Sequence, residues 1–351
     1  MAQAGAAAFE PAQFAAWADV HLPAFGAGPV KHKVLAGGAS NIVLQIWRDS
    51  GPLVLRRPPK TPRPDSTKII AREAQVLAAL KNTDVPHPRF RFYCEDASVI
   101  GAPFYVMDMV DGFLGYPLEN LPAPYDQPGA ARQSLAFALV DGIARLANVD
   151  YKAVGLDGFG KPEGFLERQA SRWMSQLASY KESEGYEQRD IPGLAYVADW
   201  LKANTPPMSK AGVIHGDYSL ANAMFHHGAP ARLAAMIDWE LATIGDPLLD
   251  LGWVLYAYRG RNERTPPAGY FDASDFPYRE ELAAYYAERT GRSIEHLTYY
   301  MVLAQFKLGV IMERQYARIL NGRQTVDVAG DAGAFVVRLI GKAYAMARGE
   351  A

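Results

Sequence analysis

The chain is poor in cysteine, in surplus charge and in membrane-like segments at its start. Cys94 is the only cysteine among 351 residues, so no intramolecular disulfide can form. A reducing compartment and a cytoplasmic location are expected, with Cys94 as a buried, inert thiol. Basic residues number 36 and acidic ones 38, a net of −2, which argues against a nucleic-acid surface while leaving room for a local basic pocket. Met1 to Ala8 is alanine-rich, without a basic n-region or a long apolar core. It therefore reads as a disordered start rather than a secretory signal or a membrane span, and no membrane partner is expected. No internal repeat is visible. A 49% hydrophobic and 21% charged composition is ordinary for a globular protein, and the length suits two lobes sharing a sizeable core.

What is present is concentrated between Val213 and Leu255. His215-Gly216-Asp217 is followed five residues after the aspartate by Asn222, and then by Ile237-Asp238-Trp239-Glu240. Val213 and Ile214 read as a short buried strand running into the turn, which Gly216 lets tighten. Met224 to His226 and Leu233 to Ile237 read as two strands around His227-Gly228-Ala229-Pro230, a hairpin that carries Asp238 back beside Asn222. A lone Asp or Asn in a loop is usually a turn former or helix cap. Three oxygen-bearing groups at these spacings ask for more. Phosphoryl transfer needs little covalent chemistry from a protein: a hydroxyl held in line with the γ-phosphate, and neutralised charge. A carboxylate facing the nucleophile, Asp217, would act as base, and an amide oxygen and a second carboxylate, Asn222 and Asp238, are hard ligands for Mg²⁺.

The run Val-Ile-His-Gly-Asp-Tyr-Ser-Leu-Ala-Asn, continued by Ile-Asp-Trp-Glu-Leu-Ala-Thr-Ile-Gly-Asp-Pro-Leu-Leu-Asp-Leu-Gly, resembles the aminoglycoside phosphotransferase and choline kinase superfamily, whose fold is protein-kinase-like. Ile-Asp-Trp-Glu and Gly-Asp-Pro resemble the branch containing the kinase-like domains associated with acyl-CoA dehydrogenases. The resemblance implies Asp217 as catalytic base, Asn222 and Asp238 as magnesium ligands, His215 as a brace for the catalytic loop and Asp250 as support for that loop's backbone. The chain departs from protein kinases in having Gly216 between the His and the Asp, and Glu240 two after the metal Asp. Glu240 adds a carboxylate near the metal, with the ion, a water or a backbone amide all open as its partner.

Upstream of this motif a β-rich lobe is expected. Val30–Leu35, Ile42–Trp47 and Leu53–Arg56 read as strands, and Gly37-Gly38-Ala39-Ser40-Asn41 turns the first into the second. Before a kinase-like loop, Gly37, Gly38, Ser40 and Asn41 become candidates to cover the nucleotide phosphates, glycines allowing close backbone approach. Arg56 ends the third strand where protein kinases place a lysine, and Arg57 should point to the opposite face. Ser66 or Thr67 caps a helix running to Leu80, and Glu73 falls on its inner stripe with Ile70, Ala74 and Leu77. An inward carboxylate needs a partner, and Arg56 is the natural one. Phe104–Met107 reads as a buried strand leading to a hinge, where Met107 and Met109 are candidates to flank an adenine ring whose edge meets backbone groups.

The expected architecture is α+β and two-lobed: residues 1–29 an extension with a short helix marked by Phe14, Trp17, Ala18 and His21; 30–107 the nucleotide-binding lobe; 108–112 the hinge; 113–351 a mainly helical lobe. Helical patterns cover Gln133–Asn148, Glu167–Ser183, Ala195–Asn204, Arg279–Thr290, His296–Asn321 and Asp331–Ala347, and Asp246-Pro247 reads as a helix start. The expected activity is a kinase using ATP and Mg²⁺ on a hydroxyl of a small molecule, with a hydroxyacyl-CoA as one acceptor and aminoglycosides, amino alcohols or sugars as alternatives. Arg168, Arg172, Arg259 and Arg261 are candidate anion contacts, though surface arginines are more often simply solvated. A nucleotide-binding pseudokinase is the rival class. A protein kinase fits less well, because no recognisable activation segment separates Asp238 from Asp250.

Overall fold

The computed structural model describes residues 9–37, 41–59, 65–208, 210–263, 267–323 and 331–350. Met1 to Ala8, Gly38 and Ser40 lie outside the described residues.

An antiparallel sheet of five strands opens the fold, built from β1 (Lys31–Gly37), β2 (Ile42–Arg48), β3 (Gly51–Arg57), β4 (Phe90–Cys94) and β5 (Phe104–Asp108), in the order β1-β2-β3-β5-β4. Alternation decides its faces. Ile42, Leu44 and Ile46 of β2, with Phe104 and Val106 of β5, enter one apolar cluster. α1 (Pro11–His21) covers that face by burying Phe14 and Ala18 and setting Trp17 edge-on to Phe92 and Phe104. Tyr105 points the other way, into a cluster shared with α2 (Ser66–Leu80) and the rest of the chain. The helical stripe Ile70, Ala74, Leu77 is buried as its spacing predicts. The predicted cap is corrected: Ser66 is the first helical residue and is buried, and Asp65 holds the cap position without a side-chain capping bond.

The remaining chain is mainly helical, interrupted by short strands that carry the motif. β6 (Phe113–Leu114), β8 (Ala223–Phe225) and β9 (Leu233–Met236) form one small sheet, and β7 (Gly212–Ile214) pairs with β10 (Thr243–Gly245) in another. The helices are α3 (Ala130–Ala147), α4 (Gln169–Ala178), α5 (Tyr180–Glu184), α6 (Leu194–Ala203), α7 (Leu248–Leu255), α8 (Arg279–Thr290), α9 (Leu297–Leu320) and α10 (Ala332–Ala347). The single helix expected from Glu167 to Ser183 is broken between α4 and α5, where the Ser179 hydroxyl donates to the Gln176 carbonyl at 2.7 Å, the local competition that weakens serine in helix interiors. α7 begins one residue later than its Asp-Pro signal suggests, yet Asp246 still accepts from the Leu248 N–H at 3.1 Å and from the Tyr300 hydroxyl at 2.8 Å. α7 and α9 cross closely: a Cβ on Gly252 would lie 2.5 Å from the Tyr300 backbone. Among the described residues no helix is long and apolar enough to cross a membrane.

Backbone and side-chain bonds tie the two parts together. Met236 N–H donates to Pro86 O at 2.9 Å. Arg72 of α2 reaches across to the Phe159 and Ala242 carbonyls at 2.9 and 3.0 Å, its guanidinium 3.9 Å from the Phe159 ring centre.

Candidate active site

β7 ends at Ile214, and the chain then turns sharply through His215-Gly216-Asp217. Gly216 has φ +86°, and an added Cβ would stand 2.5 Å from the Leu241 carbonyl oxygen, so the turn tolerates only glycine without rearrangement. Asp250, buried in the first turn of α7, accepts from the His215 N–H at 2.7 Å and from the Gly216 N–H at 2.9 Å. Burial pushes the Asp250 carboxyl up to about 6, against those two bonds. His215 is fully buried. Its Nε2–H donates to Ile237 O at 2.9 Å and its Nδ1 accepts from the Asp217 N–H at 3.3 Å. That pattern defines a neutral imidazole, and burial pushes its pKa down to about 4.

The hairpin β8–β9 brings the next two residues of the motif together. Ile237 N–H donates to Asn222 O at 3.0 Å. The Asn222 Nδ2 amide donates to Asp217 O at 2.8 Å and to the Asp217 carboxylate at 3.3 Å, which leaves the Asn222 oxygen available as a ligand atom. Asp238 follows with φ 66° and ψ 66°, the one residue other than glycine in the left-handed region among the described residues. An aspartate held there marks a strained turn of the kind that clusters at functional sites. Burial pushes the Asp217 carboxyl up to about 7; Lys307 pulls it down, Asp238 and Glu240 push it further up, and Asn222 lowers it.

Above this turn, Arg56 Nε meets Glu73 at 2.9 Å and its Nη2 meets Asp238 at 2.6 Å. Glu73 is fully buried and also accepts from the Tyr105 hydroxyl at 2.7 Å. Burial pushes Glu73 up to about 7, against the pull of Arg56 and Tyr105. Arg57 turns the other way and donates to the Ile100 carbonyl at 2.7 Å. Ligand atoms of Glu73, Asp238 and Glu240 come within 4.8 Å of one another.

A cavity of about 330 Å³ opens between the sheet and the hairpin. Arg56, Met107, Met109, Asn222 and Asp238 line it, with Val43, Val54, Leu77 and Trp239 supplying apolar walls. Asn41 is buried but is not among the lining residues, and Gly37 ends β1 opposite Ile42. Asp217 is not a lining residue either; it stands beyond the cavity, tied to Asn222. Of the arginines singled out in sequence, Arg168 turns back on the Lys161 and Glu163 carbonyls and Arg261 pairs with Glu281 at 2.9 Å.

Three residues at the site carry no motif. Tyr105 holds Glu73, Arg72 joins α2 to the Trp239–Ala242 turn, and Lys307 of α9 donates to the Gly216 carbonyl. Lys307 offers the one signal a sequence reading has, a charge on the buried stripe of an apolar helix, as Glu73 does on α2.

The phosphotransferase enzyme family's sequence model matches residues 31–285. Acyl-CoA dehydrogenase family member 11 of Gallus gallus is 32% identical over 320 residues, covering 87% of this chain; the chain spans only 39% of that relative's length. A Ralstonia eutropha JMP134 protein provisionally described as an aminoglycoside phosphotransferase is 31% identical, with a TM-score of 0.81 over 97% of this chain and 99% of that one. Aminoglycoside phosphotransferase APH(4)-Ia, solved in a ternary complex with AMP-PNP and hygromycin B, shares the fold at 16% identity and a TM-score of 0.59 over 89% of this chain and 94% of that one. The α+β, kinase-like architecture and the residue pattern meet in one assignment: the chain belongs to the phosphotransferase enzyme family.

Proposed function

We propose that the chain is a small-molecule kinase that transfers the γ-phosphoryl group of ATP to a hydroxyl, with a hydroxyacyl-CoA as the preferred acceptor. The observation that carries this reading is the convergence of Asp217, Asn222 and Asp238 on one turn and hairpin, directly below the Arg56–Glu73 pair and at the edge of a cavity of about 330 Å³. In it, residues 30–107 hold the nucleotide, 108–112 form the hinge, and 113–351 carry the catalytic turn and acceptor.

Asp217 faces the acceptor hydroxyl and takes its proton as the oxygen bonds to the γ-phosphorus and the β–γ bridging bond breaks, releasing ADP. Arg56, held in place by Glu73, directs a permanent, forked cation toward the nucleotide phosphates. Met107 and Met109 flank the base. An amide oxygen and a carboxylate are the hard donors Mg²⁺ takes, so Asn222 and Asp238 would hold the ion, which supplies charge neutralisation on the phosphates. His215, bonded to Asp217 N–H and Ile237 O, keeps the turn and the metal strand in register.

The acceptor class draws on the curated relative, an acyl-CoA dehydrogenase family member, which favours an acyl-CoA over an aminoglycoside as the molecule bearing the hydroxyl. A screen with γ-labelled ATP and Mg²⁺ across hydroxyacyl-CoAs, aminoglycosides, amino alcohols and sugars tests the reading. Transfer to a hydroxyacyl-CoA, lost in Asp217→Asn, is the expected result. Transfer to another class alone would replace the acceptor, and nucleotide binding with no transfer at all would favour the pseudokinase.

A further inference from the structure

Lys307 is a buried cation with no carboxylate in hydrogen-bond contact among the described residues. Its ammonium lies 4.4 Å from the Trp253 ring centre and 5.7 Å from that of Trp173, so aromatic faces of α7 and α4 provide part of its stabilisation. Its hydrogen bond goes to the Gly216 carbonyl, 91 residues away. That carbonyl belongs to the same peptide plane as the Asp217 N–H, which His215 Nδ1 accepts at 3.3 Å. The plane is therefore held at both ends, by an imidazole on one side and an ammonium on the other. The preceding plane is held by Asp250 through Gly216 N–H at 2.9 Å. With φ of Gly216 in the left-handed region, these contacts choose one of the several conformations a glycine turn can adopt.

We propose that Lys307 is a positioning residue for Asp217: inserted from α9, its ammonium fixes the Gly216–Asp217 peptide and thereby aims the Asp217 carboxylate at the acceptor hydroxyl. The aim of the carboxylate rests on the kinase reading; the clamp on the turn does not. Burial beside Trp253 and Trp173 keeps water from competing for the Gly216 carbonyl, and a misplacement of ~1 Å in a reacting group can lower turnover ~100-fold.

The test uses the full chain as wild type, Lys307→Met and Lys307→Arg, with Mg-ATP and a hydroxyacyl-CoA, alongside hydrogen–deuterium exchange of peptides spanning 213–219 and, as a reference, α2. The expected result for Lys307→Met is exchange at least ~10-fold faster at 215–217 than in wild type with α2 unchanged, a kcat down ~100-fold, and a nucleotide KM within ~2-fold. Lys307→Arg, which keeps a charged donor, should recover most of both. If Lys307→Met does not fold, Lys307→Gln, whose shorter neutral side chain falls short of the Gly216 carbonyl, takes its place, with faster exchange at 215–217 expected and wild-type exchange there overturning the inference. Unchanged exchange at the turn, equal acceleration in α2, or a KM that moves in step with kcat would overturn the inference. An inactive wild type would remove the kinase reading alone, because exchange still decides whether Lys307 holds the turn.

Discussion

Arg56 stands between Glu73 and Asp238, 2.9 Å from one carboxylate and 2.6 Å from the other. One guanidinium thus joins α2 to the turn that presents a candidate metal ligand. Arg56→Ala and Glu73→Ala should each lower phosphate transfer strongly, and the double variant little further, with a coupling above ~1 kcal/mol in a double-mutant cycle on kcat/KM. Simple additivity would mean that the two act separately. Arg56→Lys should recover only part of the activity, since an ammonium cannot fork between two carboxylates in the same plane.

Asp217→Asn separates chemistry from stability. Loss of transfer by ~1,000-fold or more is expected with nucleotide affinity nearly unchanged, measured by turnover and by titration with Mg-AMP-PNP. The stability effect has the opposite sign. A carboxyl whose folded pKa is raised to about 7 binds its proton more tightly folded than unfolded, so its contribution falls as pH rises from the ordinary aspartate range through 7. Asparagine resembles the protonated acid. Thermal melts should find the variant more stable than wild type by a few degrees at pH 8, with the gap narrowing as pH falls and closing only near the ordinary aspartate range, at about pH 4.

Asp238→Ala should weaken Mg-nucleotide binding itself, by ~10-fold or more in the same titration, while magnesium-free nucleotide binding changes little. Backbone strain gives a second readout. Asp238 holds φ 66°, which asparagine tolerates better than alanine, so Asp238→Asn should melt higher than Asp238→Ala even though both impair the metal.

Gly216→Ala should fail twice, through a left-handed φ costing about 1–3 kcal/mol in a residue with a side chain and through a Cβ 2.5 Å from the Leu241 oxygen. A lower Tm together with loss of turnover is expected. A variant with wild-type Tm and kcat would mean that the turn relaxes freely.

The residues that sequence made legible lie close together along the chain or on one periodic stripe. Asp217, Asn222 and Asp238 announce themselves by spacing, and Glu73 by a carboxylate on an apolar helical face. Arg56 is legible from its place at the end of the third strand, and Glu73 supports that reading, because an inward charge demands a partner. Tyr105 is not, since a tyrosine in a buried strand reads as core until its hydroxyl is placed beside Glu73. Arg72 and Lys307 act on backbone carbonyls 170 and 91 residues away, and a carbonyl has no letter in a sequence. The break between α4 and α5 was hidden for a related reason: one Ser179 hydroxyl competing with its own helix is weaker than the periodicity around it.

The family match runs from 31 to 285, yet Gly216 takes a bond from Lys307 on α9 and the α7 helix bearing Asp250 packs against that same helix. A shortened expression fragment drawn at the boundary of the match would keep every signature residue while removing the beam behind them. Such a fragment should be judged by the rigidity of its active loop before its silence is read as a lack of substrate.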